Sequence, residues 1–533
     1  MFGYYAQLGK TIYKAGFFMA SGKVKSAAAQ KAKISFIKAF VITILVICVA
    51  GFFIYISGIL PKLATGVKVV ETAADGSQTT VANISVLETN YHFYEVFSMY
   101  AMYGMVSNDT LDDVIDASSE EQQTYREFIY RTAADELMNA ALVRRAAEAD
   151  NYSAHSGADR YAEFQLDAMR NSATTYGYKS ITQYLQAMYG TGFNANDYRT
   201  FSANEALTNE YENYVRQFKF IPSDEDIQST YDEDPSEFVR ADFNYYLFSA
   251  DLDEDGNVIN LENTVAEANA VVSAVNRGTS FKDAVKTILM RDEEANANAL
   301  VSFSDDSVDP TLMTGYSKSS AEYQFKEEVS NKIFDEETEL GKAFIVELEN
   351  GTYVISVVSR TTDETPTATY RTLTIANPAA SDEAVTDEAL NAGFEQIQAQ
   401  AQSLTANRMT SLEFADCVKQ NTTNPSEILN AGYVSGDTPD SYAASEDEEL
   451  SAKNAEIGAW LFDEARVQGD TLIIPAADKS NVVIYYFENV CPAWMATVKD
   501  KYVTARVNGW SQELLAGSPS YVINYSLLKN LQY

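Results

Sequence analysis

The sequence predicts an α+β multidomain chain with a single N-terminal transmembrane helix, an all-α module and two tandem α+β domains. Three observations carry that prediction. An uncharged run fills residues 39–60, a helical apolar period governs residues 85–236, and one order of strands and helices then occurs twice.

Ala39–Leu60 reads AFVITILVICVAGFFIYISGIL, without a charge, and Pro61 closes it. Crossing the ~30 Å hydrocarbon layer takes about 20 apolar residues as a helix, whose backbone then satisfies its own hydrogen bonds. Ahead of the run, residues 1–38 hold Lys10, Lys14, Lys23, Lys25, Lys31, Lys33 and Lys38 and no Asp or Glu. That basic tail predicts a single-pass signal-anchor in the cell membrane, with the N-terminus cytoplasmic and residues 61–533 extracytoplasmic. A cleaved signal peptide fits less well, because the run is too long and no small-x-small site follows it.

The 533 residues carry a formal net charge of −37, so the chain beyond the basic tail is more acidic still. Such a surface repels nucleic acid and favours cations, which excludes a nucleic-acid partner. A hydrophobic content of 46% with 12% aromatic residues predicts packed cores rather than disorder. Of three cysteines, Cys48 falls in the apolar run, and Cys417 and Cys491 could form one disulfide or stay as two buried thiols. Only His92 and His155 could join them as metal ligands, and neither has ligand spacing.

Residues 61–84 read as a stalk, with a strand pair turning at Asp75-Gly76. Ser85-x-x-Glu88 then opens a helix as a capping box. Leu87, Tyr91, Tyr94 and Phe97 share one stripe and Phe93 and Tyr100 an adjoining one, so this helix is apolar on more than one face. A long helix over 119–149 follows, then helices near 157–176, 180–189, 194–219 and 223–232, the last opened by Ser223-x-x-Asp226. Residues 85–236 are thus an all-α module.

From Val239 the period changes to two. ADFNYYLFSA (241–250) alternates as a strand, 261–276 is a helix, and a second helix starts near Ser280. Strands 342–346 and 353–358 meet at the Asn350-Gly351 turn. The order then returns: strand 369–377, helices 385–404 and 410–420, and strands 471–474 and 481–486. Residues 239–362 and 368–490 therefore read as two copies of one α+β unit. Residues 492–533 close the chain with a helix and a short tail, and the acidic, Ser-rich 304–310 and 437–453 read as loops.

One loop has a metal-binding pattern. Asp251, Asp253, Asp255, Gly256, Asn257 and Glu262 fit D-x-D-x-D-G-x5-E, in which alternating carboxylates converge on Ca2+ and the glycine allows the sharp turn. The segment before it is a strand rather than an entering helix, so a solvated acidic hairpin with Asp255-Gly256 as its turn explains the same residues.

The order of parts resembles the SurA/PrsA/PpiD group of extracytoplasmic foldases. VANISVLETNYHFYEVF (81–97) is similar to the opening helix of their chaperone module, although it lacks that motif's Asn-Gly. IPSDEDIQSTYDEDPSEFVRADFNYYLFSA (221–250) looks like the last chaperone helix feeding a first parvulin strand. Residues 278–285, GTSFKDAV, and 351–360, GTYVISVVSR, are similar to a parvulin helix start and last strand. The resemblance implies a SurA N-terminal-like helical module at 85–236, and parvulin-like (PpiC-type) domains at 239–362 and 368–490.

Parvulin-type peptidyl-prolyl isomerases carry paired histidines on neighbouring strands. By the resemblance those positions fall near Tyr245 and Tyr353 in the first unit and Thr372 and Val483 in the second. No histidine exists in 239–533, and Cys417 precedes the stretch where the family's Cys or Asp would sit. The expectation is a membrane-anchored chaperone that binds unfolded, exported polypeptides near the secretion translocon, with little or no isomerase activity. The alternatives are an isomerase with a non-standard site and a non-catalytic scaffold. Tyr91, Tyr94, Phe97, Tyr100 and Tyr103, with Phe93, Met99, Met102 and Met105 among them, are either the helical core or a client-facing cradle, since aromatic and Met side chains bury large area with adaptable shape.

Overall fold

A computed structural model describes residues 41, 43–46 and 59–528, except 74, 117, 119–121, 254, 306, 382 and 383. The expected transmembrane helix is corrected: among the described residues no helix is long and apolar enough to cross a membrane. The described helical pieces, residues 41 and 43–46 and Ile59–Leu63, are each shorter than the about 20 apolar residues that a crossing takes. Most of 39–60, and all of 1–38, lie outside the described residues. What the described residues form is α+β, in two compact units.

The first unit takes its described residues from those up to Asn139, from Ala168–Tyr198 and from Ser520 onward. Strands β1 (Thr65–Thr72) and β2 (Gln78–Ser85) make an antiparallel hairpin, with Val67 opposite Ile84. Asp75-Gly76 turns it, the glycine at φ +82° and the Asp75 carboxylate accepting the Ser77 N–H. The strand Pro519–Ile523 pairs with the outer side of β1. Helix α1 (Val86–Met102) starts at Ser85, whose hydroxyl accepts the Glu88 N–H. It packs through Phe93, Val96 and Phe97 on Ile129, Tyr130 and Ala133 of α2 (Tyr125–Ala149). Below them Val67, Val69 and Ile84 meet Ala134 and Leu137, and Tyr130 donates a hydrogen bond to the Leu528 carbonyl at 3.1 Å.

The second unit comprises Ala140–Asp167 and Arg199–Pro519. Its helical part runs from the end of α2 through α3 (Ala158–Thr175), whose first half belongs here, and α4 (Ala195–Tyr214) to a π-helical turn at Val215–Lys219. Helix α5 (Asp224–Glu233) opens with a full capping box between Ser223 and Asp226.

Two four-stranded sheets follow. The first holds β3 (Val239–Ser249), β6 (Leu312–Tyr316), β7 (Ala343–Leu348) and β8 (Gly351–Thr362), in the order β6-β3-β8-β7. The short hairpin β4 (Asp251–Leu252) and β5 (Val258–Ile259) stands apart from it. The second holds β9 (Pro366–Ala376), β10 (Tyr433–Asp437), β11 (Thr471–Pro475) and β12 (Asn481–Pro492), in the order β10-β9-β12-β11. Each sheet thus places its strands second, first, fourth, third, all antiparallel.

Each sheet is covered on both faces because its central strands are apolar on both. In the first, Phe248 and Val354 pack on helices Leu261–Val275 and Phe281–Leu289, while Phe243, Ile355 and Val357 pack on Lys318–Phe325 and Glu327–Phe334. In the second, Leu373, Ile375, Val482 and Ile484 meet helices Asp387–Leu404 and Ser411–Asn421, and Tyr370, Tyr485 and Phe487 meet Glu448–Leu461. The closing helix Ala493–Leu514 then returns to α5, where Val498 packs on Ile227 and Phe238.

Candidate polypeptide-binding surface

Helix α1 divides its aromatic residues by position along the axis. Tyr91, Phe93 and Phe97 are buried, and Tyr94 and Tyr100 are half-buried. Tyr91 sits in a ring cluster with Tyr189, Phe193 and Tyr198, centroids 5.2 to 6.3 Å away. Tyr189 donates to the Glu95 carboxylate at 2.9 Å, and burial raises its pKa. This half of the helix is core.

The other half is not. Met99, Met102, Tyr103 and Met105 are 43, 75, 68 and 58% exposed. Met99, Met102 and Tyr103 follow the i, i+3, i+4 spacing that puts side chains on one helical face. Val106 and Leu111 beyond them turn inward, which anchors the loop and leaves the methionines outward. Ile115 is exposed as well. Of the six tyrosines and phenylalanines read as a core or a cradle, Tyr103 alone is largely exposed, and the methionines supply the rest of the apolar surface. Thioethers fill irregular contacts through three rotatable bonds, and a phenol offers an apolar body with a polar tip.

The positions to which a parvulin pair would map hold no titrating imidazole. Tyr245 on β3 and Tyr353 on β8 have ring centroids 6.5 Å apart, and Phe325 lies 4.8 Å from the first and 6.3 Å from the second. Phe243 and Tyr316 complete this aromatic layer. In the second sheet Thr372 donates to the Glu427 carboxylate at 3.0 Å, and the same carboxylate accepts the Thr374 N–H and hydroxyl and the Thr422 hydroxyl. Val483 packs with Val434 and Leu472 beneath helix Glu448–Leu461. These side chains pack and bind one another; none is placed as an acid–base pair.

The Asp251–Glu262 stretch is a hairpin. Asp251 lies opposite Ile259 and Leu252 opposite Val258. The Asp253 carboxylate accepts the Asp255 and Asn257 N–H groups and the Asn257 amide, which lowers its pKa, while Asp251 accepts the Asn260 amide. Glu262 stands in the first turn of the next helix. Among the described residues no three His, Cys, Asp or Glu side chains are grouped to hold a metal ion. Cys417 and Cys491 are free, half-buried thiols.

A polar seam within the second unit escaped sequence reasoning. Lys419 donates to the Tyr152 hydroxyl and the His155 carbonyl, both at 2.8 Å. His155 Nδ1 lies 2.7 Å from Asp416. Glu210, buried beside them, accepts the Gly157 N–H at 2.9 Å, and desolvation pushes its carboxyl up to about 7 against the pull of Lys419. Gly157 must lack a side chain, since a Cβ there would meet Ile428 at 2.7 Å. Further along, Arg371 is fully buried. It donates to Glu488 at 2.7 Å and Gln217 at 2.9 Å, with the rings of Phe218 and Tyr433 at 4.9 and 5.3 Å. The seam fixes residues 152–157 and 210–218 to the second sheet and its helices. Each partner is remote in sequence, so only the unlikely burial of charged side chains could have hinted at it.

No family model matches the chain, and no curated protein matches it.

Proposed function

We propose that this chain is a chaperone-like holder of non-native polypeptide that works by binding and not by catalysis. One observation carries the reading: Met99, Met102, Tyr103 and Met105 project from the end of α1 while its other half is packed core. Exposed, contiguous apolar side chains mark interaction surfaces, and Met-rich ones suit many sequences because they repack. The shallow cleft at Thr314, Gly315, Tyr316, Ser319, Ser320, Tyr323 and Gln324 is an alternative place, but six of these seven residues carry a side-chain hydroxyl or amide. Unfolded, exported chains are the clients of this proposal. The lysine-only charge of residues 1–38 against the acidic remainder supports an extracytoplasmic place for the body, and protease added to intact cells tests it.

The central test is aggregation of several unrelated denatured proteins with the full chain present. Suppression of all of them is expected, and Met102→Ser with Tyr103→Ser should weaken it without lowering the melting temperature, because both residues are exposed. Protection of a single protein would favour a fixed-partner scaffold. Protection of none would end the reading.

A further inference from the structure

We propose that the α1 surface selects polypeptide segments in which apolar side chains are interleaved with Lys or Arg. The inference deepens the holding role and rests on it. Residues 95–116 carry Glu95, Asp109, Asp112, Asp113 and Asp116 and no Lys, Arg or His. All five acidic residues are exposed, as are Met99, Met102, Tyr103, Met105 and Ile115 in the same stretch. The exposed apolar side chains and the exposed carboxylates that we take as their rim thus belong to one continuous piece of chain, with Glu95 already accepting a hydrogen bond from Tyr189.

One further feature has the same sign. Helix α1 ends at this face with no basic residue in its last turn, so its carbonyl end presents partial negative charge to whatever docks there. Beside the rim, Arg126 already pairs with Asp112, Nε to Oδ1 at 2.7 Å, so that carboxylate is neutralised and Asp109 and Asp113 carry the expected contacts. A segment bearing Lys or Arg between its apolar residues would seat the latter on the methionines and its cations on the rim. An acidic segment of equal hydrophobicity would meet like charge, which costs affinity and specificity alike. A chain of net charge −37 also draws cationic segments in and turns acidic ones away at long range.

The test uses two labelled peptides with the same apolar residues, one interleaved with Lys and the other with Glu, titrated into the full chain and read by fluorescence anisotropy. The Lys peptide should bind about tenfold tighter, the sum of a few screened charge contacts, and the gap should close as salt rises to about 0.5 M. Asp109→Asn with Asp113→Asn should shrink the preference while leaving the Glu peptide's affinity as it was. Met102→Ser with Tyr103→Ser should weaken both peptides. Equal, salt-insensitive binding of the two would overturn the selection and leave the holding role standing. Binding of neither, with aggregation suppression intact, would also overturn it, since the clients would then be held elsewhere. Loss of suppression itself would remove the holding role and this inference together.

Discussion

At Glu210 a carboxyl is kept from water with Tyr152, Gly157 and Lys419 as neighbours, and its pKa rises from the ordinary 4.5 to about 7. The native state thus favours the proton more than the unfolded chain does. Its contribution to stability is complete below about pH 4.5 and is lost as pH climbs through about 7. Glu210→Gln cannot ionise, so the native chain's melting temperature relative to this variant should be most favourable near pH 4.5 and decline towards pH 8. A margin that grows with pH would show the carboxylate to be the preferred native form. At Asp253 the carboxylate is taken up by the hairpin turn. Titration calorimetry with millimolar calcium is therefore expected to give no heat, whereas a heat abolished by Asp253→Ala would make the stretch an ion-binding loop.

Elements form where local chemistry and distant packing agree. Gly66 on β1 faces Thr89 of α1 so closely that a Cβ would stand 2.5 Å from its Oγ1 and 3.1 Å from the Val86 Cα. Thr89 is fully buried and its hydroxyl is bonded to the Ser85 carbonyl, so it has no room to swing aside. Gly66→Ala should cost about 1–3 kcal/mol, measured by urea unfolding. The helix starts at Ser85, Ser223 and Ser280 were legible because an N-cap hydroxyl acts three residues away. The edge strands β6 and β10 were not: each is short and carries a glycine at positive φ, Gly315 or Gly436, so neither shows a clean alternation. The first turn and a half of helix Glu448–Leu461 hid in residues 437–453, read as an acidic loop, yet its Asp447 cap and its two leading glutamates are the charges a helix N-terminus prefers. With the first sheet's face filled by Phe243, Tyr245, Phe325 and Tyr353, a prolyl isomerase assay on the full chain should stay at the spontaneous timescale of roughly 10–100 s. Turnover well above that would mean a site built without histidine.

Across the whole molecule the excess of acid is the dominant fact. A net charge of −37 repels itself in the folded state, and mobile ions screen that repulsion. The melting temperature should therefore rise as salt is added to about 0.5 M; a fall would mean that surface pairs such as Lys62–Asp197 and Arg199–Glu163 outweigh the repulsion. The sequence by itself determined what is local or additive: the charge, the helix caps, the Asp75-Gly76 turn, the alternation of β3, and the lack of histidine beyond residue 239. Tertiary structure alone decided which half of α1 is core, that Pro519–Ile523 completes the sheet of β1, and that Arg371, Glu210 and Lys419 are buried. The reason is physical. Periodicity tells which face of an element is apolar, but whether that face is covered depends on groups hundreds of residues away, whose approach no local pattern records.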